Sequence, residues 1–356
     1  ASPFLHDLPY NVHALGSSQK RWYVPAFAQF LRNNRHRFDG VIVHGLWEFT
    51  GLAALLSLGD TPYAVFPHGM LDPWFKRAYP AKHAKKWLYW LLAEYWVLRH
   101  AHRVLFTTQT ESTLATQSFW LHNWTPAITP IGCEPPPADT ARLIEAFHQR
   151  CPDLRDKRFL LYLGRIDPKK GADLLLDAFA LTAKASPGLD LHLVIAGPET
   201  NPWATDLRAS KSALTNSNYI HWPGMILGDA KLGALAAAEA FVLPSHQENF
   251  GVAVVEALSA GTPVLISNQV NLAPEVAADN CGYVEPDTVE GTATLLTRWM
   301  KTTQADRAAM STQARLTFAT RYDMRRNAEA ILRIFEPHLK QATTTSLRDS
   351  EIQEAR

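Results

Sequence analysis

Short apolar runs rich in β-branched residues alternate along this chain with longer stretches of helical periodicity, and that alternation leaves few folds open. Strands separated by helices pair in parallel, and helices then cover the sheet. Strand-like runs fall at residues 40–44, 63–67, 104–107 and 127–131, then at 159–163, 191–196, 219–222, 240–243 and 263–267, with a short one at 282–284. A weaker candidate lies at 11–14. Between the two sets stands Cys133-Glu134-Pro135-Pro136-Pro137. Three prolines in a row fit neither a helix interior nor a sheet, so they read as a linker, with a helix following near 140–150. The 356 residues suit two domains of ordinary size. The expected fold class is α/β, with two open, doubly wound parallel sheets. Ligands in such folds bind outside the carboxyl ends of the strands.

Charge and cysteine content narrow the function classes. The formal net charge is +1, which gives no reason to expect a nucleic-acid partner. Cys133, Cys151 and Cys281 are far apart and lack metal-ligand spacing, as expected of free thiols in a reducing compartment. No apolar run reaches the ~18 residues that a membrane span requires, and no secretory signal is visible. The absence of a G-x-G-x-x-G run argues against a dinucleotide oxidoreductase.

Two loops carry the chemistry of the second half. The strand at 159–163 runs into Gly164-Arg165-Ile166-Asp167-Pro168-Lys169-Lys170-Gly171, with a helix from about Asp173. Arg165 and Lys170 beside a helix start could receive a diphosphate, or the segment could be a solvated basic turn. The strand at 240–243 ends in Pro244-Ser245-His246-Gln247-Glu248-Asn249-Phe250-Gly251, and Val252-Ala253-Val254-Val255-Glu256 follows. Ser245 and Glu248 have capping-box spacing. Gly251 opposes that reading, because glycine is unfavourable in a first turn and is better used as a tight helix entry. Glu248 then lies in the loop and Glu256 lies more than a turn into the helix. Two carboxylates eight apart can grip hydroxyl pairs on different parts of one ligand, while backbone N–H groups of Asn249, Phe250 and Gly251 bind its oxygens at the helix start.

Glu248 to Glu256 is similar to the E-x7-E motif of retaining GT-B glycosyltransferases, in its Glu-x-Phe-Gly form. Together with Ala-Leu-Ser-Ala-Gly-Thr-Pro-Val and Gly-Arg-x-x-x-Lys-Lys-Gly, the chain resembles glycosyltransferase family four, the glycosyl transferases group 1, over roughly residues 38–322. The resemblance implies two Rossmann-like domains facing across a cleft. It divides the chain into an acceptor-side domain at 1–134, a linker and connecting helix at 135–152 and a donor-binding domain at 153–320. Helices at 321–342 would cross back to the first domain, leaving a frayed polar tail at 343–356. The resemblance also implies that Arg165 and Lys170 neutralise the donor diphosphate, that Glu248 contacts the transferred sugar, and that Glu256 holds the ribose. Asn249, Phe250 and Gly251 would supply backbone contacts. Gly164 belongs to the same donor loop. Gly197-Pro198 and Gly224-Met225 end neighbouring strands and either line the base pocket or are plain turns.

In the first half, Pro67-His68-Gly69-Met70-Leu71-Asp72-Pro73-Trp74 follows the strand at 63–67. His68, just past a strand end, is well placed to face a ligand. Related enzymes carry a similar histidine that helps position the reacting sugar. His44-Gly45-Leu46-Trp47-Glu48 repeats the pattern one strand earlier, so His44, Trp47 and Asp72 are acceptor-side candidates, with loop packing the alternative. Thr107, Thr108 and Glu111 follow the next strand with the same two readings. Residues 76–96 join Lys76, Arg77, Lys82, Lys85 and Lys86 to Trp87, Tyr89, Trp90, Tyr95 and Trp96. That is either a peripheral membrane contact, as family members with lipid-linked acceptors possess, or a buried helix with a solvated basic start.

The resemblance implies a nucleotide-sugar donor (UDP- or GDP-linked), a glycan or lipid-linked acceptor, and same-face displacement without a covalent intermediate. Arg165, Lys170 and the helix start would hold the leaving diphosphate. No Asp-x-Asp motif occurs, so neither metal nor other cofactor is expected. The wider resemblance, including His-Gly-Met-Leu-Asp-Pro-Trp, is to bacterial polysaccharide or cell-envelope transferases, acting in the cytoplasm or at the inner face of the membrane. A first domain of this family opens with a strand, a glycine-rich loop and a helix. No such element precedes Phe4, so the first domain is expected to lack about one βαβ unit. A sugar-nucleotide-binding protein without transfer activity is the alternative.

Overall fold

The computed structural model describes residues 10–15, 23–186, 188, 190–211 and 217–339. The chain forms two compact units. One comprises the residues up to Thr129 together with those from Glu329 onward, and the other runs from Pro130 to Ala328.

The first unit holds a four-stranded parallel sheet: β1 (Val41–His44), β2 (Tyr63–Phe66), β3 (Arg103–Phe106) and β4 (Pro126–Ile128), in that spatial order. Strand β2 is buried along its whole length. That is why its sequence is continuously apolar rather than alternating. The candidate at 11–14 forms no strand. Val12 is exposed, and neither edge of the sheet pairs with it, so nothing favours extended pairing there. The helix Met324–Phe335 ends inside this unit, where Ile331, Ile334 and Phe335 pack against Ala64, Phe66 and Leu105. His102 Nε2 lies 3.0 Å from the Ile334 carbonyl oxygen. The expectations for 340–342 and for the tail at 343–356 lie outside the described residues.

The second unit holds six parallel strands: β5 (Phe159–Leu163), β6 (His192–Ala196), β7 (Ile220–Gly224), β8 (Ala240–Leu243), β9 (Val264–Ser267) and β10 (Gly282–Glu285). Their spatial order is β10-β9-β8-β5-β6-β7. The chain builds outward from β5 to β7, then returns to lay β8 on the other side of β5. This places a topological switch point between β5 and β8, the position where open α/β sheets bind ligands. Phe159, Phe179 and Phe241 are almost wholly buried in the core around these strands. Each such side chain contributes on the order of 2 kcal/mol of apolar burial.

Within this unit, the segment at Cys133 and the segment at Asp323 run side by side. Cys133 N donates to the Tyr322 carbonyl at 3.1 Å, and Met324 N donates to the Cys133 carbonyl at 3.2 Å.

Candidate functional site

The two loops singled out in the sequence leave the adjacent strands β5 and β8 and lock onto each other at the switch point. His246 N donates to the Lys169 carbonyl at 2.9 Å. Glu248 N donates to the Gln269 carbonyl at 3.1 Å, and Asn271 N donates to the Glu248 carbonyl at 3.0 Å. Glu248 is thus held through its own backbone to the loop that follows β9. Its carboxylate pairs with Lys170 Nζ, and both side chains are mostly buried. Lys170 ends a single 3-10 turn, Pro168–Lys170, which Asp167 caps by accepting from Lys169 N at 3.1 Å.

Gly251 has φ 84°, in the left-handed region, and stands immediately before the helix Val252–Ala260. A residue with a Cβ would be strained there, so the glycine sets the chain's turn into the helix. Phe250, just before it, turns its ring into the core and meets Tyr322 edge-on at 5.9 Å between centroids. Asn249 sits between the anchored Glu248 and this turn. One and a half turns into the helix, Glu256 accepts from Lys231 Nζ at 2.7 Å. Each carboxylate of the pair therefore holds a lysine ammonium.

Gly164, Gly197 and Gly224 lie in a row at the carboxyl ends of β5, β6 and β7. Gly164 N donates to the Ala196 carbonyl at 3.0 Å, and Gly197 N donates to the Gly224 carbonyl at 2.9 Å. A Cβ on Gly197 would run into the Gly164 carbonyl. Only glycine lets these strand ends come this close, and Met225 emerges beside them, exposed. Arg165 is exposed too, and its carbonyl accepts from the Tyr162 hydroxyl at 2.9 Å.

In the first unit, His44 closes β1 and His68 follows β2 by two residues. Their rings are nearly parallel, and His44 Nδ1 lies 2.8 Å from His68 Nε2. The Phe66 ring stacks on His68 at 4.8 Å. Burial holds both imidazoles below the usual histidine range, and repulsion from His44 adds to the effect on His68. At neutral pH the pair is uncharged, with one ring donating and the other accepting. His68 has φ 49°, and the turn it occupies is held by Glu111. That buried carboxylate accepts from Gly69 N at 2.6 Å, Thr107 N at 2.7 Å and Thr107 Oγ1 at 2.6 Å. Thr108 caps the helix that carries it. Trp47 has φ 69°, and its N–H donates to Glu94 Oε1 at 2.9 Å. Asp72 is buried and accepts from Trp74 N at 2.7 Å, so its carboxylate organises the turn into the helix Trp74–Ala78.

Comparison with known proteins gives the family and the fold. Residues 144–317 match the family model described as glycosyl transferases group 1, and residues 4–130 match that of the glycosyl transferase 4-like domain. The chain belongs to the glycosyl transferases group 1. A D-inositol 3-phosphate glycosyltransferase of Saccharomonospora viridis is 30% identical over 202 residues, 54% of this chain and 46% of that protein. A GDP-mannose-dependent alpha-(1-6)-phosphatidylinositol dimannoside mannosyltransferase of Mycobacterium tuberculosis is 31% identical over 157 residues, 41% of this chain and 39% of that protein. The matched stretches thus span less than half of either curated relative. Anabaena HepE, solved in complex with UDP and glucose, superimposes with a TM-score of 0.69 at 16% identity, over 88% of this chain and 82% of that one. The two parallel-sheet domains are those of the GT-B fold.

Against this family's motifs, Glu248, Asn249, Phe250, Gly251, Glu256, Lys170 and Gly164 come together at one switch point. His68 and His44 come together in the other unit. Three partners carried no sequence signal: Lys231 on Glu256, Asp287 on His246 (Nδ1 to Oδ2, 2.9 Å) and Glu94 under Trp47; Glu111 was a candidate by its place after a strand, but its hold on the His68 turn was not legible. The stretch 76–98 divides by face. Trp90, Ala93, Val97 and Leu98 are buried, whereas Leu88, Leu91, Leu92 and Trp96 are exposed. Among the described residues no helix is long and apolar enough to cross a membrane, and no cluster of His, Cys, Asp and Glu could hold a metal ion.

Proposed function

We propose that this chain is a retaining glycosyltransferase that moves a sugar from a UDP- or GDP-linked donor to a hydroxyl of a glycan or lipid-linked acceptor, without a metal ion. The observation that carries the reading is the pair of lysine-bound carboxylates, Glu248 with Lys170 and Glu256 with Lys231, at the β5–β8 switch point. Relatives named for GDP-mannose and a structural neighbour solved with UDP and glucose support the donor class.

A carboxylate already neutralised by an ammonium accepts sugar hydroxyls without repelling a diphosphate. Glu256 takes the ribose hydroxyls, and Glu248 takes hydroxyls of the transferred sugar. Lys170 and Arg165 bind the diphosphate, and the N–H groups from Asn249 to Gly251 add donors at the helix start. As the glycosidic bond breaks, charge grows on the leaving phosphate, and these fixed cations stabilise it more in the transition state than in the ground state. The leaving diphosphate assists deprotonation of the acceptor hydroxyl, which attacks on the same face and keeps the α-configuration. Gly197 and Met225 border the base, and His68, uncharged and held by His44, positions the reacting sugar from the first domain. The exposed apolar residues Leu88, Leu91, Leu92 and Trp96, beside the lysines from Lys76 to Lys86, fit peripheral contact with an anionic inner membrane face. Polysaccharide or cell-envelope synthesis in the cytoplasm is the setting that suits such a site.

The test is donor turnover in the presence of a chelator. The chain should hydrolyse a UDP- or GDP-sugar slowly, releasing the α-anomer, and Glu248→Ala should abolish this while the melting temperature stays the same. Nucleotide binding with no hydrolysis or transfer would leave a binding protein instead.

A further inference from the structure

One small cavity in the first unit is built unlike ordinary core. It has a volume of about 60 Å³ and is lined by Trp47, Phe75, Tyr79, Lys82, His83 and Lys86, among others. Three independent features mark it. The Lys86 ammonium lies 4.2 Å from the Trp47 ring centroid and 6.0 Å from that of Phe75, while Lys82 lies 4.8 Å from that of Tyr79. Among the described residues neither lysine has a carboxylate in ion-pair contact. Lys86 is half-buried, and taking an ammonium out of water without a counter-ion is costly. Secondly, two buried ring nitrogens, Trp47 Nε1 and His83 Nε2, have no hydrogen-bond partner. Thirdly, Trp47 sits in the left-handed backbone region, where a residue with a Cβ is strained.

The nearest negative charge does not balance the lysines. Glu94 lies behind Trp47 and spends one oxygen on the Trp47 N–H. Burial pushes its carboxyl up to about 7, so at neutral pH it is only partly ionised. Burial holds the His83 imidazole below its usual range, and the positive charges of Lys76 and Lys86 add to the effect. The cavity is roomy enough for a small polar group such as a tetrahedral anion. The flanking aromatic rings suit a sugar or lipid body outside it.

We propose that this cavity binds the anionic group, a phosphate ester, of a negatively charged acceptor, with Lys82 and Lys86 pairing its charge and Trp47 Nε1 and His83 Nε2 as its hydrogen-bond partners. The inference rests on the transferase reading and names the acceptor class within it. The phosphate can come from a soluble phosphosugar or from a lipid headgroup.

The His83 imidazole signal in 13C-histidine-labelled full chain, assigned with His83→Gln, reports the site directly. Inorganic phosphate, glycerol phosphate and phosphatidylglycerol vesicles are each added, with glycerol and phosphatidylcholine vesicles as neutral controls. A saturable shift with phosphate or glycerol phosphate supports the proposal and indicates a soluble acceptor. A shift with phosphatidylglycerol vesicles alone supports it with a lipid acceptor. In Lys82→Ala/Lys86→Ala the response should be weaker by tenfold or more, consistent with about 1.4 kcal/mol or more. No shift with any anion, or an equal shift with the neutral controls, overturns it. Donor hydrolysis by the unmodified chain, measured on the same samples, tests the transferase reading separately, since it requires no acceptor anion.

Discussion

Replacing Glu94 by glutamine isolates the cost of a buried charge beneath the Trp47 loop. Glu94 is 1% exposed, one of its oxygens accepts from Trp47 N, and the other has no partner. Burial raises its pKa from 4.5 to about 7. The folded state therefore keeps a proton that the unfolded chain has already lost. The associated stability is fully present below about pH 4.5, falls as pH rises, and is gone above about pH 7. A difference of about 2.5 pKa units corresponds to about 3 kcal/mol, at 1.36 kcal/mol per unit. Glutamine preserves the acceptor for Trp47 N and never ionises. Urea unfolding followed by tryptophan fluorescence, with Trp47 and Trp90 beside the site, should give equal stability for the two proteins near pH 4.5. At about pH 8, Glu94→Gln should be the more stable by about 3 kcal/mol. Parallel pH profiles, or a variant less stable at high pH, would refute the buried-charge account.

On the proposed function Lys170 is a charge-assisted partner of the donor, so Lys170→Ala, which also leaves Glu248 uncompensated, should lower affinity for the nucleoside diphosphate by about tenfold or more in calorimetric titration, with the fold retained. Glu111→Ala orphans three buried donors on Gly69 and Thr107, and should cost about 3 kcal/mol or more in chemical unfolding while disordering the His68 turn. Both histidines of the His44–His68 pair titrate below the usual 6.5, so transfer should decline as pH falls below that value. His44→Ala lifts the repulsion on His68, and the acid limb of the rate profile should move to higher pH; an unmoved limb would remove His68 from the pH dependence.

Parts of this molecule were written plainly in the sequence. Strands β2, β5 and β8 are buried on both faces, so they appear as unbroken apolar runs between helical stretches. Glu248, Gly251 and Glu256 could be found because their chemistry depends on spacing along one loop and one helix. Their partners were hidden for a physical reason. Lys231 precedes Glu256 by 25 positions and Asp287 follows His246 by 41, and only the sheet order brings them together. Glu111 shows the same limit from the other side. Its place after a strand was visible, but its work, holding the backbone under His68, depends on a neighbouring strand 42 positions earlier. The segment 76–96 presented two readings, membrane contact or burial, because a helix with one buried and one exposed apolar face carries both signals. The run at 11–14 has strand-like residues but pairs with neither edge of the four-stranded sheet.

On the proposed function, Glu248 and Lys170 form a metal-independent donor site. Its most direct test is hydrolysis of radiolabelled UDP- and GDP-sugars by the full chain in excess chelator, with Glu248→Ala alongside. The account predicts slow release of the α-anomer by the unmodified chain and a loss of at least about a hundredfold in the variant. Equal turnover in Glu248→Ala, or turnover only when a divalent metal is restored, would contradict it.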